Sequence, residues 1–232
     1  MALLAVGIMI SLVSFSQKEQ FRSDHDDWPY YFGMSISYNS STLKPSKDPT
    51  FIQNDSVLWV EPGSSGGVAL GLVGTLQFSK RFSFRANPQL IIGGAKYFTY
   101  YLKYPIAPDE HTIEKKTLPS TIISFPFQMK FNSDRIGNWR TYMMAGLKYD
   151  IDLASNSQAR NAEDLVKLNK SDFGCELGIG MNFFFRFVTF SPEIKISNGF
   201  TNIHARDKHL KFSNVLDKLS SRIIAFSIIL ED

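Results

Sequence analysis

Apolar and polar side chains alternate with a period of two along most of this chain. Around residues 30–38 the even positions are Tyr30, Phe32, Met34, Ile36 and Tyr38, and the odd ones are Tyr31, Gly33, Ser35 and Ser37. Such alternation marks a β-strand with two unlike faces. It recurs over residues 68–78, 82–92, 123–131, 139–153, 173–183 and 188–196, and more weakly over 224–230, where Ile223 and Ile229 sit on the opposite face. Helical periodicity is almost absent. About eight strands of roughly 9 to 14 residues are expected, long enough to cross a hydrocarbon core at a tilt of about 40°. Links near 79–81, 133–138 and 184–187 are tight, whereas those after Tyr38, Tyr104, Leu153 and Phe200 are long and polar. Short and long links therefore alternate, as in an outer-membrane barrel with short periplasmic turns, long outer loops and both ends in the periplasm.

The chemistry of the two faces separates lipid from water. One face of each strand carries Phe, Leu, Ile and Met, and the other is small or charged. A soluble sandwich also alternates, but it turns polar side chains outward. In lipid every backbone amide and carbonyl must be paired, so an antiparallel sheet crosses only as a closed barrel without edges. The expected fold is all-β: a closed antiparallel transmembrane β-barrel of about eight strands. Composition alone hides this. The 232 residues include 20 Phe and are 44% hydrophobic, yet mean hydropathy is −0.11, because averaging mixes two opposed faces with polar loops. A net charge of +3 without a basic patch argues against a nucleic-acid partner, and a single Cys excludes a disulfide framework or a cysteine-rich zinc site.

The first residues set the compartment. Residues 2–14 form an uncharged, mostly apolar run that ends in Ser14-Phe15-Ser16 before Gln17-Lys18-Glu19. It is shorter than the roughly 20 residues a membrane-spanning helix needs, and its small-x-small end reads as a signal cleaved after Ser16. No Lys or Arg precedes the run, so either the true start lies upstream or the signal is weak. The expected organisation is a signal at 1–16, a periplasmic tail at 17–28 and an outer-membrane barrel at 29–232.

The inward set contains Arg85, Lys130, Arg140, Lys148 and Lys195 together with Asp150, Asp152, Glu176 and Glu193. A barrel of about eight strands is just wide enough for its side chains to fill, so these charges should meet and pair, closing the lumen. Gly71, Gly146, Gly178 and Gly180 then make room for the long chains. Pro88, Pro126 and Pro192 remove ladder bonds and mark bulges or edges. Catalytic chemistry is thin. His25, His111, His204 and His209 fall in the tail or in loops, none beside a Ser and a carboxylate at a catalytic spacing. His204 and His209 flank Asp207 as a weak metal-ligand set that reads better as solvated loop polarity. Cys175 lies on the apolar face as a small hydrophobe. No catalytic or metal residue and no cofactor are expected.

The stretch from Ser133 to Ala154 resembles the PorT family of Bacteroidota. There a tight R-I-x-N-x-R-x-Y turn, here Arg135, Ile136, Asn138, Arg140 and Tyr142, leads into G-x-x-Y-x-x-D-L-A, here Gly146, Tyr149, Asp152, Leu153 and Ala154. Further matches are Phe125-Pro126, Leu168-Asn169-Lys170-Ser171-Asp172 leading to Glu176-Leu177-Gly178-Ile179-Gly180, and Phe190-Ser191-Pro192-Glu193-Ile194-Lys195 with Gly199 and Asn202. The resemblance implies a non-enzymatic outer-membrane component of the type IX protein secretion system, needed for cargo export and in some members linked to gliding. The family has no catalytic residues to carry over. A filled barrel cannot pass a folded protein, so partners are implied: outer-membrane lipids and other secretion components. The turn Asp134-Arg135-Ile136-Gly137-Asn138 and the tail are the expected periplasmic contacts, because a tight turn needs neither Arg nor Ile for its own geometry. Two rivals remain: a generic structural or adhesive barrel acting through its outer loops, and a lipid-modifying outer-membrane enzyme.

Overall fold

A computed structural model describes residues 19–47, 57–103, 111–118, 120–155, 168–204 and 216–232. The expected signal, His209 and Asp207 lie outside these residues. Strands are β1 (Tyr30–Lys47), β2 (Val57–Gln77), β3 (Phe82–Ala86), β4 (Gln89–Gly93), β5 (Lys96–Leu102), β6 (Ile113–Leu118), β7 (Thr121–Asn132), β8 (Trp139–Asp152), β9 (Ser171–Phe184), β10 (Thr189–Gly199) and β11 (Leu216–Glu231). A short 3₁₀ turn, η1 (Ser23–Asp27), precedes them. All pairings are antiparallel, and β1 pairs both β11 and β2, which closes the sheet. The ring has 8 strands, with β3 and β4 sharing one place between β2 and β7. Along the ring strands the Phe-, Leu-, Ile- and Met-rich alternation faces out and the small or charged one faces in, with Val73, Ile91, Ile122, Ile223 and Ile229 as buried apolar exceptions on the inner face.

The tight turns at one end are the ones the alternation places there. Phe78–Arg81, Ser133–Asn138 and Phe185–Val188 join β2 to β3, β7 to β8 and β9 to β10. The three prolines act locally. Pro88 separates β3 from β4, yet β2 keeps one register across the gap, with Gly74↔Ala86 below it and Gly71↔Gln89 above. On the other side Asn87 N donates to Pro126 O at 3.2 Å, and Pro126 has no N–H to return. Pro192 stays inside β10, but pairing with β9 lapses between Phe190↔Phe183 and Glu193↔Gly180, where Ser191 Oγ reaches Asn182 Oδ1 at 2.9 Å instead.

The strands run further outward than the alternation indicates. β1 continues to Lys47, β2 starts at Val57, β11 starts at Leu216, β5 forms between the alternation that ends at Ile92 and Tyr104, and β6 forms within the link expected after Tyr104. Two causes combine. At Gly93 and Gly94, with φ of +81° and +70°, the inward parity changes from odd (Arg85, Asn87, Ile91) to even (Lys96, Phe98, Tyr100, Leu102). Glycine reaches that left-handed region without a Cβ penalty. Beyond it the inner surface becomes apolar: Leu43, Val60, Phe98, Tyr100, Leu102 and Leu219 pack with Leu168 and Ile203 into a buried cluster. The outer extension is thus built like a water-soluble sheet, with strands rich in Ser, Thr and Lys that resemble loops in the sequence.

Candidate functional site

Two sites follow from this frame: the packed lumen and the mouth at the tight-turn end. In the lumen Arg85 is fully buried and its guanidinium bridges two carboxylates. It meets Glu193 Oε2 at 2.9 Å and Glu231 Oε1 at 3.2 Å. Tyr142 donates its hydroxyl to the same Glu193 oxygen at 2.9 Å, and Thr75 donates to Glu231 Oε1 at 3.0 Å. Lys195 stands 3.1 Å from the other Glu193 oxygen as an ion pair. Lys130 is fully buried, lacks a hydrogen-bond partner among the described residues, and rests its ammonium 4.1 Å from the Tyr142 ring centroid. That cation–π contact and the nearby carboxylates substitute for solvent. Nearer the outer rim Lys148 Nζ lies 2.5 Å from Asp150, which also accepts from Ser124 at 2.5 Å, and Gln128 donates to Glu176.

The glycines complete the packing. A Cβ on Gly180 would stand 2.5 Å from the Tyr142 ring, and one on Gly178 would meet Met144 and Lys195 side chains. Gly71 sits in the same way against Asn87 and Ser35, while Gly146 presses on the backbone of Phe127. Nothing larger than glycine fits under the long inward chains at Gly178 and Gly180. The result is a lumen filled by close-packed charged and polar side chains.

At the mouth the tail folds across the barrel end. Asn138 grips its backbone twice: Nδ2 donates to Glu19 O and Oδ1 accepts from Phe21 N, each at 2.9 Å. Arg135 donates to the carbonyls of Phe21 and of Arg22, the latter at 3.1 Å, and its guanidinium lies 3.8 Å from the Phe184 ring centroid. Asp26 then pairs with Arg140 at 2.9 Å and with Arg135 at 3.5 Å. Gln77 donates to Asp26 O at 2.5 Å. Burial pushes the Arg135 pKa down, against the pull of Asp26. His25, on η1, is the plug itself. It is buried against Tyr31, Trp28 and Phe184, with ring centroids 4.6, 5.4 and 5.7 Å away. Its Nε2 lies 3.3 Å from the Asp232 carbonyl oxygen, which can only accept, so Nε2 carries the proton. Burial, with Arg22 beside it, holds the His25 pKa below the ordinary 6.5.

Arg85, Lys130, Arg140, Lys148, Asp150, Glu176, Glu193 and Lys195 all point inward and are buried; Asp152 sits half-buried at the outer rim and accepts from Ala154 N at 2.9 Å. They do not form one network: Arg85 and Lys195 pair with Glu193, Arg140 serves the tail, and Lys148 pairs with Asp150. Alternation along single strands does not single out Glu231, Thr75, Gln128 or Tyr142 as partners of these charges. The odd parity that places Ile223 and Ile229 inward also places Glu231 there, so the signal existed in the weakest strand. In the turn, Arg135 and Asn138 are turned toward the chain's own tail, Asp134 pairs with Arg81 at 3.1 Å, and Ile136 is exposed. His204 is buried and bridges to Leu168, and among the described residues no cluster of His, Cys, Asp or Glu is arranged to hold a metal. Cys175 is a free thiol, half-buried on the outward face.

Residues 15–205 match the family described as outer membrane protein beta-barrel domain. No curated protein matches the chain. Among solved structures, Neisserial surface protein A (NspA) is 11% identical over 85% of this chain and 95% of its own, with a TM-score of 0.41. OprG from Pseudomonas aeruginosa is 13% identical over 86% of this chain and 93% of its own, with a TM-score of 0.39. Ail, the attachment invasion locus protein of Yersinia pestis, is 8% identical over 88% of this chain and 100% of its own, also at 0.39.

Proposed function

We propose, from the premise that the chain belongs to the family of outer membrane protein beta-barrel domains, that it is a non-enzymatic component of the type IX protein secretion system. It sits in the outer membrane. The observation that carries the mechanism is the filled lumen. Arg85 and Lys195 pair with Glu193 and Glu231 across the ring, and Tyr142 hydrogen-bonds Glu193. Breaking a buried pair of this kind leaves an uncompensated charge, so the lumen resists opening to pass a polypeptide. The protein therefore supports export through partners and not as the conduit. The secretion system itself is supported by the resemblance of 133–154 and its companion motifs to the PorT family. The same pairing supports a non-enzymatic reading, because the buried ionisable groups hold each other rather than an open cleft.

The test is a deletion strain of the native host. Cargo proteins with the C-terminal sorting domain should vanish from the medium and accumulate in the periplasm, while unrelated outer-membrane proteins stay at normal levels. Unchanged cargo export overturns the reading. If deleting only the outer loops removes function, an adhesive barrel is the better account. An altered lipid profile on changing His111, His204 or His209 would point to the lipid-modifying alternative.

A further inference from the structure

The outer ends of β1 and β11 carry positive charge that neither the lumen nor the tail uses. The two strands stay paired well beyond the lipid band, and Thr42↔Arg222, Lys44↔Ser220 and Ser46↔Lys218 are alternate rungs of that ladder. Leu43, Leu219, Ser221 and Ile223 are buried inside, so Lys44, Lys218 and Arg222 stand together on the outward face. Lys44 is the diagonal neighbour of both other cations, at a backbone separation of about 7–8 Å. None of these side chains has an ion-pair partner among the described residues. Arg222 Nε is moreover buried without an acceptor. A buried donor left open in this way marks a place where an ion or another outside acceptor belongs. Thr42, Ser220 and Asn198, the cross-strand neighbours of Lys44 and Arg222, line the same face with hydroxyl and amide groups.

The height of the patch defines what it can meet. The outward side chains next below Arg222 on β11 are Ile224 and Phe226, and Phe226 pairs with Tyr38 on β1. Tyrosine favours the boundary between hydrocarbon and headgroups. Arg222 thus comes one outward position above the apolar band, and the cations climb about 14 Å along the strands from Arg222 through Lys44 to Lys218. They lie at the end with long links, away from the tight turns, and so face the outer leaflet. The neighbouring rim differs: at the outer ends of β8, β9 and β10 the outward side chains are Leu153, Phe173 and Phe200, exposed by 54%, 44% and 65%. A lipid with a single phosphate just above its acyl chains meets Arg222 alone. Cations spread over this height fit a headgroup that stacks more than one anionic group outward. We propose that Lys44, Lys218 and Arg222 bind the phosphate groups of a phosphorylated glycolipid of the outer leaflet, whose acyl chains lie against Ile224, Phe226 and Tyr38. The seat straddles the first and last strands, the pair that closes the barrel.

The site stands on the barrel wall and is independent of the secretion reading. Its test uses the full chain folded in zwitterionic detergent, with bis-phosphorylated lipid A as the probe and thermophoresis as the readout. Lys44→Gln, Lys218→Gln and Arg222→Gln should each weaken binding about five-fold, and the triple variant about a hundred-fold. Added salt should weaken the wild type in the same direction. Lys170→Gln, which removes an exposed cation beside the start of β9, should bind as wild type does. All four positions are outside the packed interior, and the heat-dependent gel mobility of a folded barrel checks that each variant is intact. Equal binding by wild type and the triple variant overturns the proposal. So does a loss in Lys170→Gln as large as that in Arg222→Gln, since diffuse charge would then suffice. Lipid A stripped of its phosphates should bind poorly, and undiminished binding would reduce the site to apolar contact. Phosphatidylglycerol binding as tightly as lipid A would overturn the assignment to a glycolipid.

Discussion

Arg85 and Phe98 lie on the same run of chain and both are fully buried inside the barrel, one a cation and the other an apolar ring. Between them the chain turns over at Gly93 and Gly94. Below the turn the outward neighbours are Phe82, Leu90 and Ile92; above it they are Tyr97, Thr99 and Tyr101. The difference teaches that the medium outside decides the chemistry inside. In lipid an apolar side chain is as well solvated outside as in, so nothing drives it inward, and the interior goes to groups that can pair with each other. Above the bilayer water restores the hydrophobic drive, and Phe98, Tyr100 and Leu102 turn in to join Leu43 and Leu219.

The largest expected effect breaks the polar half of that comparison. Arg85→Ala leaves Glu193 and Glu231 buried without their cation, and should lower stability by about 3–5 kcal/mol in urea unfolding from lipid vesicles. A loss under about 1 kcal/mol would mean that water fills the lumen and screens the pair. Next comes a matched pair of substitutions on one strand. Leu72 and Leu58 are 65% and 57% exposed on β2, the first within the lipid band and the second on the outer extension. Leu72→Lys should cost about 2–4 kcal/mol if it lies near the midplane. Leu58→Lys should stay within about 0.5 kcal/mol of wild type. Equal costs would erase the boundary drawn at the glycines. Smaller again is Gly93→Ala, where φ of +81° strains any Cβ; about 1–2 kcal/mol is expected. Hydrogen exchange should quicken in β5 and β6 and stay slow in β8 and β9.

The membrane zone was legible in the sequence because lipid enforces strict alternation over whole strands. Every face assigned from Tyr30 to Tyr38, or from Trp139 to Leu153, points as the alternation says. The outer extension was not, for a physical reason. Lys96, Phe98 and Tyr100 change parity at two glycines, and strands such as Ile113–Leu118 carry Glu114, Lys115, Lys116 and Thr117, which suit a watered surface as well as a loop. Among site residues, the inward charges were legible as a set but not their partners. Pairing Arg85 with Glu231 needs two strands far apart in sequence to face each other across the ring, which periodicity along one strand does not encode. Arg135 and Ile136 stand out as residues a turn does not need; the structure turns Arg135 toward the tail and leaves Ile136 exposed. The target of Arg135 and Asn138, the backbone of Glu19 to Arg22, has no side-chain signature.

The smallest expected effect tests the opposite rim, where the tail makes a third environment, neither lipid nor charged lumen. His25 is packed neutral, and burial lowers its pKa, helped by Arg22 and Arg140 and opposed by Glu231 and the Asp232 carbonyl. A released tail returns His25 to the ordinary value of 6.5, so between the two values the released state binds more protons than the docked one. Docking is therefore at full strength above the free-histidine value and weakens as pH falls below it toward the docked value. Trp28, whose ring centroid lies 5.4 Å from that of His25, reports this directly. In a variant keeping Trp28 as the sole tryptophan, emission should shift toward that of a solvated indole as pH falls below 6.5. His25→Gln should flatten the profile, since glutamine does not titrate. An unchanged profile in the wild-type tail would mean that the imidazole gains a partner for its second proton on docking, which the orphaned Nδ1 argues against.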